Sequence, residues 1–184
     1  MLTREEALSL VKKNVKKRNI VYHMIAVEGI MRGVAKHFGE DEDLWGLTGL
    51  LHDIDYEKIG DAWEKHGVLA GEILKDMVSE EVKRAIKAHN FERTGVIPES
   101  RMEKALICCD AISGLLVACA LVMPSKKLAE VRVKTVKKKF KDKDFARGAN
   151  RERILFCEKI DVPKERFFEI ALDGLKEYAA EIGL

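Results

Sequence analysis

The segment ALICCDAISGLLVACALVM, residues 105–123, decides the fold of this chain. It is nearly long enough to span a bilayer, and Asp110 is its only charged residue. Its flanks carry no aromatic belt, and the rest of the chain supplies amphipathic helices that can cover it on every side. We therefore predict that it forms the central buried helix of a soluble bundle.

Outward from this segment, cap residues and helical spacing of apolar residues recur almost end to end. The predicted helices begin at Thr3, near Val21, at Asp41, Trp63, Ser79, Ser100, Ser125 and Asn150, and at Pro163. The fourth is expected to span residues 63–77, and residues 91–99 indicate a loop. No stretch shows sustained β alternation. The sequence predicts an all-α, single-domain helical bundle over residues 1–184, with a core at about 21–123 and helices 125–184 packed on it.

The composition excludes a protein held on nucleic acid by bulk charge, because 33 Lys+Arg nearly balance 31 Asp+Glu. The four cysteines form no C-x-x-C pair and are expected to be buried, reduced thiols. Residues 1–17 are charged and amphipathic without an apolar run, which indicates no signal peptide. We expect a cytoplasmic protein.

A basic run, KTVKKKFKDK at residues 134–143, is the one local feature that favours RNA binding. Its single Phe140 is a poor stacking platform, so a helix with one apolar face and one solvated face is the simpler interpretation. Beyond it, Arg147, Asn150 and Arg151 are candidates for the edge of a cleft, although Asn150 is more simply explained as a helix N-cap.

Asp110 needs a chemical explanation. An isolated charge in an apolar interior is costly, so a buried carboxylate must be paired or bound to a metal. The closest basic residue, Lys104, lies outside the positions that share its helix face. We therefore expect Asp110 to be buried and to find its partner on another element.

Two further polar groups lie on elements that face the core. His52 and Asp53 directly follow two leucines, and His23 is flanked by valines and isoleucine. Neutral imidazoles and carboxylates at one buried point form a competent site for a divalent transition metal. These residues predict a metal site built from His23, His52, Asp53 and Asp110.

The order His … His-Asp … Asp resembles that of the HD-domain metal-dependent phosphohydrolases. The resemblance spans at least residues 21–121, and the run LLHDIDYEKIG lies where that family has its signature. It implies that His23, His52, Asp53 and Asp110 bind one divalent metal inside a helical bundle. It also implies that His66 and His89 hold a second metal that Asp53 bridges. From the residues alone, a solvated face for His66 and a helix C-terminus for His89 remain the alternatives.

The resemblance also bears on catalysis, for which Asp53, Asp55, Lys58 and Arg93 are the candidates. Lys58 and Arg93 are close in sequence to proposed ligands and are placed to hold a substrate phosphate, with ordinary surface charge as the alternative. Asp55 is expected to orient the metal-activated water or to accept an outer hydrogen bond. Many family members have glycine at the position of Asp55, and no GYP segment is present, so cyclic-dinucleotide specificity does not carry over.

We predict a phosphohydrolase that cleaves a phosphomonoester or phosphoanhydride, a nucleotide among the candidates, with a metal-activated water. One or two ions of iron, manganese, cobalt, nickel or zinc suit the ligands, and magnesium is a further candidate. A phosphodiesterase, a non-catalytic metal-binding or sensor module, and an RNA-associated protein are the alternatives. The expected partner is a small phosphorylated substrate, with no membrane and no nucleic acid, and the amphipathic helices leave room for a homodimer.

Overall fold

The computed structural model describes residues 2–184, and within them the chain forms ten α-helices and four short 3₁₀ turns, joined by loops and without a strand. The helices are α1 (Arg4–Asn14), α2 (Arg18–Phe38), α3 (Glu42–Leu51), α4 (Val68–Ile73), α5 (Glu80–His89), α6 (Phe91–Thr94), α7 (Arg101–Leu121), α8 (Val133–Lys141), α9 (Arg151–Ile154) and α10 (Lys164–Tyr178). The predicted all-α class is confirmed.

Local sequence sets most helix ends. Thr3 and Ser100 each form a capping box with the glutamate three residues later, at the starts of α1 and α7. The Asp41 carboxylate accepts hydrogen bonds from two backbone N–H groups at the start of α3. Gly39 ends α2 in the left-handed conformation, at φ +69°. These ends lie where the sequence predicts them.

α7 contains the long apolar segment and lies at the centre of the fold. Among the helices of residues 2–184, it alone is long and apolar enough to cross a membrane. Most of its residues are buried, against α2, α5, α8 and α9 among others, which is also how the core helix of a soluble protein is placed. All four cysteines are buried and free, as predicted.

Glycines fix the position of α2 against its neighbours. A Cβ atom on Gly174 of α10 would lie 2.5 Å from the carbonyl oxygen of Gly29 in α2. A Cβ atom on Gly49 of α3 would lie 2.9 Å from the carbonyl oxygen of Val27. The backbones therefore approach more closely than any side chain permits. This close packing places the first half of α2 over the C-terminal end of α3, where the polar residues of the core meet.

Three predicted boundaries are wrong. The predicted helix at 63–77 is a 3₁₀ turn at Trp63–Lys65 followed by the shorter α4, because Gly67 interrupts it at φ +85°. The predicted loop at 91–99 begins with α6. The Ser125 hydroxyl accepts a hydrogen bond from the Lys127 backbone, but α8 begins only at Val133, after a 3₁₀ turn.

Candidate metal centre

Five elements bring six polar side chains to one point of the interior. His23 comes from the first half of α2, and His52 and Asp53 follow the end of α3. His66 lies in the break before α4, His89 is the last residue of α5, and Asp110 is halfway along α7. All six residues that the sequence singles out as ligands are thus neighbours in the fold.

The Asp53 carboxylate lies at the centre of the cluster. Its Oδ1 atom is 3.3 Å from His52 Nε2, 3.2 Å from His66 Nε2 and 3.7 Å from His89 Nε2, and its Oδ2 atom is 3.6 Å from His23 Nε2. The cluster contains two groups able to hold an ion, His23 with His52 and Asp53, and His66 with His89 and Asp53. Asp53 belongs to both groups, so two ions held there would share this carboxylate.

Outer hydrogen bonds orient the imidazoles. The Nδ1 atoms of His52 and His89 donate to the carbonyl oxygens of Gly49, at 2.8 Å, and Ile86. Since a carbonyl oxygen only accepts, each Nδ1 carries the proton, and in a neutral ring Nε2 is left with its lone pair. Both Nε2 atoms therefore present a free lone pair to the interior of the cluster.

His23 and His66 are held in the same way by side chains. The Ser113 hydroxyl donates to the Asp110 carbonyl oxygen at 2.8 Å, so it accepts from His23 Nδ1 at 3.0 Å. His66 Nδ1 donates to Asp55 Oδ1 at 2.8 Å. Each outer partner directs its Nε2 inward, as the outer partners of metal-binding histidines do.

This donor set fits divalent metal. His66 Nε2 lies only 3.1 Å from His89 Nε2, and His23 Nε2 lies 3.2 Å from His52 Nε2. Two lone pairs facing each other at that distance repel, so each pair requires a proton or a cation between or beside its nitrogens. Imidazoles and carboxylates suit iron, manganese, cobalt, nickel or zinc.

The carboxylates of the cluster are held ionised. Burial by itself would raise the pKa of Asp53, but the imidazoles of His52, His66 and His23 hold it well below its ordinary value. Desolvation also opposes ionisation of Asp110, yet its contact with His23, at 3.2 Å, lowers the pKa of Asp110 to about 2. Both groups are therefore negative at neutral pH and attract cations.

His66 and His89, the histidines that form one group with Asp53, differ in charge. Burial opposes protonation of His66, but hydrogen bonds to Asp53 and Asp55 raise its pKa to about 10. For His89, burial and the neighbouring imidazoles together lower the pKa to about 4. Without metal at neutral pH, His66 carries the proton that its pair with His89 requires, and His89 stays neutral. A cation that binds His66 Nε2 displaces this proton.

Asp110 departs from its expected burial, since its side chain is 25% exposed. It lies at the opening of the cluster, where Arg153 Nη2 is 3.7 Å from Asp110 Oδ2. The Arg153 guanidinium also pairs with Glu92 at 2.9 Å and donates to the His89 carbonyl oxygen. The expectation of partners on other elements is met by His23 and Arg153.

The proposed catalytic residues divide into two sets. Asp55 is fully buried, and its Oδ2 atom accepts hydrogen bonds from the backbone N–H groups of Gly67 and Ala70, both at 2.8 Å. It lies behind His66 and acts as an outer acceptor. Lys58 and Arg93 are both exposed, and within residues 2–184 neither side chain forms a hydrogen bond or ion pair with a cluster residue. A role for them in holding phosphate stays a prediction.

Sequence reasoning missed Arg153 and selected its neighbours instead. Arg147 is exposed and pairs with Asp144. The Arg151 guanidinium donates to a series of backbone carbonyls between α8 and α9, so its role is structural. Asn150 caps α9, as its simpler interpretation held. The sequence alone does not distinguish Arg153 from these residues. What distinguishes it is the orientation of the one-turn helix α9, which directs its side chain toward the cluster.

The fold and the cluster together define an all-α protein with a candidate metal centre of histidines and aspartates in its interior. A family model for the HD domain matches residues 20–113, more than half of the chain. The chain therefore belongs to the HD-domain family, whose members are generally metal-dependent hydrolases. No curated protein and no solved structure matched the chain. All six cluster residues lie inside the matched range, and Arg153 lies outside it.

Proposed function

We propose that the protein is a metal-dependent phosphohydrolase that cleaves a phosphomonoester or phosphoanhydride of a small molecule. The observation that carries this proposal is the position of Asp53, whose carboxylate has four imidazole Nε2 atoms within 3.7 Å. Two divalent ions bound there would supply an activated water and offset the negative charge of a phosphoryl group.

The chain's own residues provide the rest of the site. Asp53 is 6% exposed and His52 is fully buried, so bulk water is excluded from the inner side of the cluster. His23 and Asp110 are partly exposed and form its opening. Arg153 lies at this opening, and its planar guanidinium would exchange its contacts with Glu92 and Asp110 for the oxygens of a bound phosphate. A phosphate held by Arg153 would lie beside Asp110, at the edge of the cluster.

The proposal is tested by assaying p-nitrophenyl phosphate, its diester and a nucleoside triphosphate with each candidate metal. We expect monoester or anhydride hydrolysis, lost in Asp53→Asn and retained in His37→Ala, a control at an exposed histidine of the same bundle. Preferred cleavage of the diester would establish the phosphodiesterase alternative. Bound metal without hydrolysis of any ester would favour the non-catalytic module.

Arg153 gives a second test with a matched control. Arg153→Ala removes charge-assisted hydrogen bonds worth about 1.5–3 kcal/mol, so kcat/KM falls by roughly 10- to 150-fold. Arg147→Ala removes an exposed arginine whose partner is Asp144, and it leaves kcat/KM unchanged. Equal values for both variants would exclude Arg153 from phosphate binding.

A further inference from the structure

An apolar cavity of about 290 Å³ opens beside the metal centre. Its walls are Tyr22 from α2, Val117 and Leu121 from α7, and Ile182 and Leu184 after α10. Leu121 exposes 51% of its surface, which is high for a large apolar side chain. The size and apolar lining are those of a small ligand pocket.

A polar cavity of about 280 Å³ at the opening of the cluster adjoins this one, because the two have lining residues in common. The polar cavity is lined by Asp110, Asn150 and Arg153 among others. His23, Ser113 and Gly114 line both cavities and form their shared edge. A molecule with its polar end at Arg153 would therefore extend over Gly114 into the apolar cavity.

Gly114 is the residue at this edge that the fold itself does not explain. It lies inside α7, where glycine costs stability relative to alanine. Its φ is not positive, and a Cβ atom built on it would meet nothing within 4 Å. In contrast, Gly29, Gly49 and Gly174 are each required by a close backbone contact. A side chain at this position would therefore occupy open space at the edge that the two cavities share.

Polar groups are scarce in the apolar cavity. Beyond the shared edge, its polar side chains are Asn19 and the hydroxyl of Tyr22, and this hydroxyl already accepts a hydrogen bond from Arg18. A polyhydroxylated group placed there would lose water without gaining partners, which is unfavourable. An aromatic or alkyl group would cover the exposed surface of Leu121.

A larger cavity, of about 450 Å³, lies away from the metal cluster beside α1. Its charged residues are already satisfied by one another, since Arg4 and Arg32 both pair with the buried Glu28. None of its lining residues belongs to the metal cluster, so a ligand bound there would not reach the proposed metal site. The apolar cavity beside the cluster is therefore the stronger candidate for a ligand site.

We propose that the substrate is a phosphomonoester of an aromatic or alkyl alcohol, with its organic group in the apolar cavity and its phosphate beside Arg153. This inference rests on the proposed function and specifies its substrate class. The cavity accommodates about one or two fused rings. Sugar and glycerol phosphates are poor substrates on this account, because their hydroxyl groups find few partners in the cavity.

The test compares 2-naphthyl phosphate with glycerol 2-phosphate in the wild type, Gly114→Ala, Gly114→Leu and the control Gly71→Ala. Gly71 is a helical glycine of α4 whose added Cβ would meet the flexible end of Lys87, outside both cavities. Thermal unfolding shows that each variant is folded, and both alanine variants are expected to raise Tm. Binding of 2-naphthol to the metal-free protein, followed by fluorescence, provides a readout independent of hydrolysis.

We expect kcat/KM for the naphthyl ester to exceed that for the glycerol ester by about tenfold or more, a preference that Gly114→Leu removes and Gly71→Ala retains. We also expect 2-naphthol to bind the wild type and Gly71→Ala with similar affinity and Gly114→Leu more weakly. Equal rates for the two esters, or a preference unchanged in folded Gly114→Leu, would overturn the inference while the phosphohydrolase proposal stands. Naphthol binding that depends on Gly114, without hydrolysis of any ester, would reject the phosphohydrolase proposal and support the ligand class alone.

Discussion

Replacing Asp55 with asparagine changes the atoms behind His66 while every proposed metal ligand stays in place. The Asp55 carboxylate accepts three hydrogen bonds, one from His66 Nδ1 and two from the backbone N–H groups of Gly67 and Ala70, all at 2.8 Å. An asparagine has only one accepting oxygen atom. It can serve either the two backbone groups or the imidazole.

If the asparagine oxygen faces the backbone, its NH₂ group faces His66 Nδ1. A neutral His66 must then move its proton from Nδ1 to Nε2, which removes the lone pair that a metal needs. If the oxygen faces His66 instead, the NH₂ group opposes two buried N–H groups. Either orientation loses at least one charge-assisted hydrogen bond, worth about 1.5–3 kcal/mol, so metal affinity at the His66 group falls by about 10- to 150-fold.

The assay is isothermal titration of metal-free wild type and Asp55→Asn with Mn²⁺ or Zn²⁺, resolved into two binding steps. We expect the step assigned to His66 and His89 to weaken and the step at His23 and His52 to change little. Asp144→Asn, at an exposed aspartate, is the control. Two unchanged steps in a folded Asp55→Asn protein would refute the outer-acceptor role of Asp55.

Three further predictions follow from the same geometry. Gly67 has a φ of +85°, and in Gly67→Ala the added Cβ atom would lie 2.7 Å from the Ile86 carbonyl oxygen. We expect the unfolding free energy, measured by denaturant titration, to fall by about 1–3 kcal/mol. We also expect calorimetry to show weaker metal binding at the His66 and His89 group. Gly174→Ala forces α10 away from Gly29, and we expect a fall in Tm without a selective effect on either metal step. Because the pKa of His66 is raised to about 10, a metal ion must displace its proton at neutral pH. The apparent metal affinity of the His66 and His89 group should therefore rise about tenfold per pH unit between about pH 6 and 8. Calorimetry in buffers of different ionisation enthalpy measures the proton release. A pH-independent affinity would contradict this last prediction.

The sequence predicts the helical class because apolar spacing and caps are local signals. Thr3, Asp41 and Ser100 mark helix starts through hydrogen bonds within one turn, so each can be recognised without the fold. The break before α4 could not be recognised in this way. Its cause is the approach of Gly67 to the backbone of Ile86 on another helix, which is a tertiary contact.

The same division applies to the site. His23, His52, Asp53 and Asp110 are predictable because polar residues beside apolar runs, in this order, resemble a known family, and the family assignment is confirmed. Their roles as ligands stay predictions that the geometry supports. Arg153 could not be predicted, because its position depends on how α9 packs against α7. Asp110 is less buried than expected because it lies at the opening of the cluster. Several elements form this opening together, so the pattern of a single helix does not predict it.

Metal content is the most direct test of the central claim, that Asp53 joins two metal sites. Element-resolved mass spectrometry would be applied to the protein purified without an affinity tag, beside Asp53→Asn and His66→Ala. The account predicts about two transition-metal ions per chain in the wild type, about one in His66→Ala and almost none in Asp53→Asn. No metal in the wild type, and none taken up on incubation with any candidate ion, would contradict it.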